Sequence, residues 1–193
     1  MLVAGMVLAG GLAACTNGEG AEPDPTEAPS SATSTGDPGG APTEDRPEVE
    51  KPVPPDAMAR DDVAGAEAAA QYFLELYPYV YATGDLAEWK AMSDPECVFC
   101  QSVVDNVEEL YSGGGFGVGP EIEIRTVDGS PPREGNEYFA VWIDVGEGKS
   151  SIFDAQGVQT ASSDGGPAAF DFAIKRSEGR WVIGEASFER EAG

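Results

Sequence analysis

The chain contains three cysteines and no histidine, and this narrows the chemistry its side chains can perform. Two of the cysteines form the short motif Cys97-Val98-Phe99-Cys100. Residues three apart on one helical turn bring their Cα atoms to about 5–6 Å, within the span of a disulfide. Such a bridge closes a very small loop and contributes only about 2 kcal/mol. The competing reading is a redox pair, because a helix N-terminus lowers a thiol pKa and Cys97 stands just behind Pro95. A thioredoxin-like pair would follow a strand in a βαβ unit, whereas this one follows helices, so a structural bridge is favoured. Two thiols without a histidine leave a tetrahedral zinc site incomplete. The lack of histidine also removes Ser-His-Asp and Cys-His mechanisms. Gly146-Glu147-Gly148-Lys149-Ser150 has the look of the end of a phosphate-binding loop, but the first glycine of that pattern would fall at Ile143, inside a strand. No calcium-loop spacing of carboxylates is present. Neither a metal nor a cofactor is expected.

The third cysteine closes the run Leu12-Ala13-Ala14-Cys15, which looks like the lipobox of a lipoprotein signal peptide: a short apolar stretch, small residues at the cut, and a thiol that accepts a diacylglycerol. Residues 1–14 are then a signal peptide, and Cys15 is the lipidated first residue of the mature chain. The apolar stretch is shorter than the roughly 20 residues that cross a bilayer as a helix. The first basic residue is Arg46, although such leaders begin with Lys or Arg, so translation is expected to start upstream of Met1. This reading places the protein on the extracytoplasmic face of a bacterial cell membrane, held by lipid. Thiols there tend to oxidise, and with Cys15 acylated, Cys97 and Cys100 have only each other as intramolecular partners.

From Thr16 to Ala59 the chain is dominated by Pro, Glu, Asp, Thr, Ser, Gly and Ala and has almost nothing large and apolar to bury, so residues 15–59 read as a lipidated cysteine followed by a disordered tether. Its reach as a flexible coil is roughly 35–40 Å. The whole chain has a formal net charge of -24. That surface repels nucleic acid and anionic headgroups, and nucleic acid is excluded as a partner.

Residues 60–193 have the size of one domain. A first helix starts at Asp61 or Asp62, carries Val63, Ala66, Ala70, Phe73, Tyr77 and Val80 on one face, meets Pro78 near its end, and stops at Gly84. Asp85 caps a short second helix with Leu86, Trp89 and Met92. Ser93-Asp94-Pro95 opens a third, which runs to about Tyr111 before the break at Gly113-Gly114-Gly115. Then the period becomes two: Ile122 and Ile124, then Phe139, Val141, Ile143 and Val145, then Phe170, Phe172 and Ile174 alternate with polar or small residues. Gly146-Glu147-Gly148 reads as a hairpin turn into Ser150 to Phe153, and Ser177-Glu178-Gly179 as another into Trp181 to Phe188. Helices first and strands afterward predict an α+β fold, with three N-terminal helices packed on a curved antiparallel sheet of four to five strands.

Tyr81-Ala82-Thr83-Gly84-Asp85-Leu86, followed by Trp89, Met92 and Asp94, resembles the "A-x-x-G-D-x-x-x-L-x-x-L" turn between the first two helices of the nuclear transport factor 2-like cone fold, which ketosteroid isomerases and polyketide cyclases share. The lipobox, the acidic tether, Gly84-Asp85, Cys97-x-x-Cys100 and Tyr111-x-Gly113-Gly114 together resemble a family of actinobacterial lipoproteins of uncharacterised function. The cone implies a pocket that Tyr77, Tyr81, Trp89, Trp142 and Phe170 could line, although aromatics at such spacing are more often core. An isomerase of this fold needs a pocket carboxylate. Asp171 is the candidate, while its alternation with Phe170 and Phe172 points it to solvent. The resulting expectation is a membrane-anchored lipoprotein whose domain binds or scaffolds, without catalysis, an envelope protein or a small apolar ligand. The alternatives are an isomerase- or cyclase-like enzyme and a thiol-disulfide oxidoreductase at Cys97 and Cys100.

Overall fold

The computed structural model describes residues 46–190. The expected signal peptide, the lipidation at Cys15 and most of the expected tether lie outside them. Helix α1 spans Val63–Thr83; the Asp62 carboxylate caps it by accepting from the Gly65 N–H, and Gly84 ends it in the left-handed conformation. A Cβ at Gly84 would stand 2.7 Å from the Tyr111 ring, so both backbone and packing require glycine there. Helix α2 (Ala87–Met92) follows directly, with Asp85 Oδ1 accepting from the Ala87 N–H and Asp85 Oδ2 from the Tyr79 hydroxyl. The backbone bond from Ala87, then the Tyr79 hydroxyl and Lys51, hold the Asp85 carboxyl below its ordinary pKa.

Helix α3 spans Val98–Ser112 and is capped by Cys97. The expected start at Pro95 is therefore corrected by three residues. Asp94 folds into a turn, its carboxylate accepting from the Glu96 N–H and its carbonyl from the Cys97 N–H, while its own N–H donates to the Ile183 carbonyl.

Among the described residues, seven strands form two antiparallel sheets: β1 (Phe116–Val118), β2 (Ile122–Ser130), β3 (Phe139–Glu147), β4 (Ser150–Phe153), β5 (Gln159–Ser163), β6 (Gly166–Ser177) and β7 (Arg180–Arg190). The main sheet has the order β2-β3-β6-β7, and a smaller one the order β1-β4-β5. The α+β arrangement of three helices on an antiparallel sheet of four strands is the one expected; the small three-stranded sheet is an addition to it. β1 is too short, and β5 too uniformly exposed, to show alternation.

The turn at Gly146-Glu147-Gly148 is also corrected. Both edges of β3 are occupied as far as Glu147, by Ile122 of β2 and Gly166 of β6, so the chain cannot fold back on β3. β4 instead leaves for the small sheet. The turn at Glu178-Gly179 does close a hairpin, with Ser177 opposite Arg180 and both turn residues at positive φ.

The core lies between the inner face of the main sheet and the helices. Val141, Ile143, Val145, Phe170, Phe172, Ile174, Trp181 and Ile183 pack there with Ala66, Ala70, Phe73, Leu76 and Val80 of α1. Phe73 stacks on Trp89 with ring centroids 4.0 Å apart and meets Phe172 edge-on at 6.3 Å.

Residues 46–59, expected to be part of the disordered tether, pack on this domain. Arg46 donates to the Gly114 carbonyl, and Lys51 pairs with Asp85 and Glu88. Asp56–Ala59 forms a 3-10 turn. The Met58 carbonyl accepts from Trp181 Nε1 at 2.9 Å and from Arg176 at 2.8 Å. A tryptophan N–H buried at the rim of the core needs an acceptor, and this segment supplies it.

Candidate cleft between the third helix and the small sheet

Of the five aromatics expected to line a pocket, the fold brings only Tyr77 and Tyr81 to one. Trp89 is 1% exposed and donates from Nε1 to the Cys100 carbonyl at 3.1 Å; Phe170 is 4% exposed. Phe99 links the two, with centroids 6.3 Å from Trp89 and 6.4 Å from Phe170. These rings occupy the middle of the cone as core. Trp142 is corrected outright. It is 43% exposed, because Val141, Ile143 and Val145 take the inward positions of β3 and its even-numbered residues face outward. Asp171 lies on the same outer face, directly opposite Trp142 across the β3–β6 ladder.

A cleft of ≈ 480 Å³ opens between the C-terminal half of α3 and the β4–β5 hairpin. Tyr81, Leu110, Ile152 and Phe153 give it apolar walls; Asn106, Glu109, Asp154 and Thr160 give it polar ones. A smaller hollow of ≈ 270 Å³ lies beyond Tyr81 and Ile152, towards Tyr77, Pro120 and Ser163. Two glycines of the break after α3, Gly113 and Gly115, complete the large cleft. At Gly115 a Cβ would collide with the Phe153 carbonyl and stand 2.6 Å from Leu110, so the glycine allows strand and helix to approach.

Asp154 Oδ1 is taken up by its own turn, accepting from the Gln156 and Val158 N–H groups at 2.9 Å each. Arg46, bonded to the Gly114 carbonyl, holds its guanidinium 5.3 Å from the Tyr111 ring and 5.5 Å from the Phe116 ring. Tyr77 and Tyr81 lie with centroids 5.0 Å apart, and burial, then Tyr81 and Glu147, push the Tyr77 hydroxyl pKa well up. Glu147 turns inward at the end of β3. Its side chain is 6% exposed and pairs with Arg190 at 2.6 Å, and Arg190 also reaches Ser163 Oγ at 3.3 Å.

Sequence reasoning missed Leu110, Ile152, Phe153, Asp154 and the Glu147–Arg190 pair. Asp154-Ala155-Gln156-Gly157 carried a legible turn signal, an aspartate that accepts from the backbone two residues on, followed by glycine. Nothing local marks which helix that hairpin meets.

Cys97 and Cys100 are disulfide-bonded, with Cα atoms 5.3 Å apart. Both are buried, at 1% and 0% exposure, and Cys97 Sγ accepts from the Cys100 N–H at 3.3 Å. The bridge fixes the first turn of α3.

Residues 41–187 match the model of a family described as "Family of unknown function (DUF6318)". Among solved structures, the intermembrane space region of the chloroplast protein ARC6 is similar over 67% of this chain and 97% of that chain, at 13% identity and a TM-score of 0.51. That likeness is one of fold. Aln2 from a Streptomyces species matches over 68% of this chain and 94% of that chain at 8% identity and a TM-score of 0.43. An uncharacterised protein with a cystatin-like fold from Caulobacter vibrioides matches over 62% and 85% at 9% identity and a TM-score of 0.39. No curated protein matches the sequence.

Proposed function

Because the chain belongs to the DUF6318 family of unknown function, over residues 41–187, we propose its role from its own residues: a lipid-anchored extracytoplasmic lipoprotein whose domain binds a small apolar ligand without transforming it. The observation that carries the binding half is the cleft walled by Tyr81, Leu110, Ile152 and Phe153. Pockets of about this volume with apolar walls and a few polar groups are where proteins take up small molecules. The anchoring half rests on Leu12-Ala13-Ala14-Cys15. Two observations weigh against the enzymatic alternatives. The sulfurs of Cys97 and Cys100 are buried, which denies an attacking thiolate access to them. Asp171 stands on the outer face of the sheet, away from the cone interior.

The two halves are tested separately. Cys15→Ala should move the protein from the detergent-soluble membrane fraction to the medium or leave it as precursor; unchanged fractionation without diacyl modification at Cys15 by mass spectrometry would refute the anchor. For the cleft, a neutral apolar dye such as Nile red should brighten on binding, and Leu110→Glu should abolish the enhancement while leaving the far-ultraviolet circular dichroism intact. Equal enhancement in the variant would move the ligand site elsewhere.

A further inference from the structure

Trp142 is the one exposed tryptophan among the described residues, 43% exposed on the outer face of the main sheet, the side turned away from the helices. The strand register sets its neighbours: Asp128 of β2 on one side and Asp171 of β6 on the other. Beyond them Ser187 of β7 donates to Asp171 Oδ2 at 3.4 Å. Side chains directly opposite on neighbouring strands have Cβ atoms about 5 Å apart, so a carboxylate flanks the indole on each side. The adjoining rows are Thr126, Asp144, Ala169 and Glu189, and Ser130, Ala140, Ala173 and Glu185. Their alanines leave the indole standing above a shallow surface. Among the described residues neither Asp128 nor Asp171 joins an ion pair. The cations of this face sit at its ends, Arg125 against Gly146 and Lys175 paired with Glu137.

An exposed tryptophan at the centre of an anionic sheet face stabilises no core. The face of an indole attracts cations through its quadrupole, and flanking carboxylates add to that field. We propose that this face is a docking surface for a basic segment of a partner protein, with an Arg or Lys side chain laid over Trp142 between Asp128 and Asp171. Charge selects the occupant. A second copy carries the same net charge of -24 and is repelled, as are the acidic N-terminal stretch of this chain and an anionic lipid surface. Tryptophan and arginine are also the side chains on which binding energy concentrates at protein interfaces. The surface is separate from the cleft, and the two readings stand or fall independently.

The test titrates the full chain with an arginine-rich peptide by calorimetry. Trp142→Ala and the double variant Asp128→Asn/Asp171→Asn should each weaken binding about tenfold, with the fold checked by circular dichroism. The control Glu96→Gln/Glu134→Gln removes the same charge from exposed positions elsewhere and should bind nearly as tightly as the unaltered chain. Undetectable binding to the unaltered chain, unchanged binding by Trp142→Ala, or a loss in the control equal to that of the double aspartate variant would each overturn the proposal; the last would mean that net charge alone draws the peptide.

Discussion

Cys97 and Cys100 show how burial decides between chemistries that spacing leaves open. Two cysteines one helical turn apart serve equally as a pin or as a redox pair. Here both cysteines are buried, and the Trp89 N–H is fixed on the Cys100 carbonyl. Replacing both with Ala should lower stability by about 2 kcal/mol and leave the fold unchanged, as read by urea denaturation. In glutathione buffers the native protein should keep the bridge oxidised, because a buried disulfide exchanges only when the chain opens. Ready reduction of the folded protein at the glutathione poise would restore the redox reading. The same principle separates the tryptophans. Trp89 and Trp181 are buried with their N–H groups satisfied, whereas Trp142 faces outward because its neighbours at odd positions of β3 face inward.

At the scale of elements, the segment from Arg46 to Arg60 behaves as part of the domain. Its prolines at positions 47, 52, 54 and 55 hold the backbone extended before it docks, so ordering it costs less entropy than ordering a flexible chain. Composition alone could not separate it from the residues before it. Its anchors are two carbonyls, those of Met58 and Arg60, which accept from Trp181 and Arg176. A chain shortened to begin at Asp61 should lose about 2 kcal/mol, from unpaired donors at the rim of the core, and melt several degrees lower. A thermal scan that superimposes on that of the longer chain would show that the docking contributes nothing. The small sheet teaches a related lesson. β4 joins β1 and β5 because β2 and β6 already pair with β3 to its end, a fact of competition between strands that no stretch of sequence contains.

For the molecule as a whole, electrostatics oppose compactness. The chain holds 35 acidic residues against 11 basic ones, and the ion pairs of the described residues are mostly solvent-exposed, where each contributes little. Unpaired carboxylates crowd the outer face of the main sheet, so screening should relieve more repulsion than it removes attraction. Raising ionic strength from about 0.01 M to about 0.15 M, where the screening length falls from roughly 30 Å to 8 Å, should therefore raise the melting temperature. A fall would mean that pairs such as Glu147–Arg190 outweigh the repulsion.

Much was legible from the sequence by itself. The sequence of helices followed by strands, the start of α1 at Asp61 or Asp62 and its end at Gly84, and the Cys97–Cys100 bridge follow from local rules: capping geometry, the two hydrophobic periods, and the reach of a thiol along one turn. Tertiary structure alone decided which aromatics became core and which became surface, where the chain stops being tether, and which hairpin faces α3 to enclose the cleft. Those outcomes depend on contacts between residues far apart in the chain, such as Met58 with Trp181 or Leu110 with Phe153 across Gly115. Periodicity reports which side of an element is buried; it carries no information about what lies against that side.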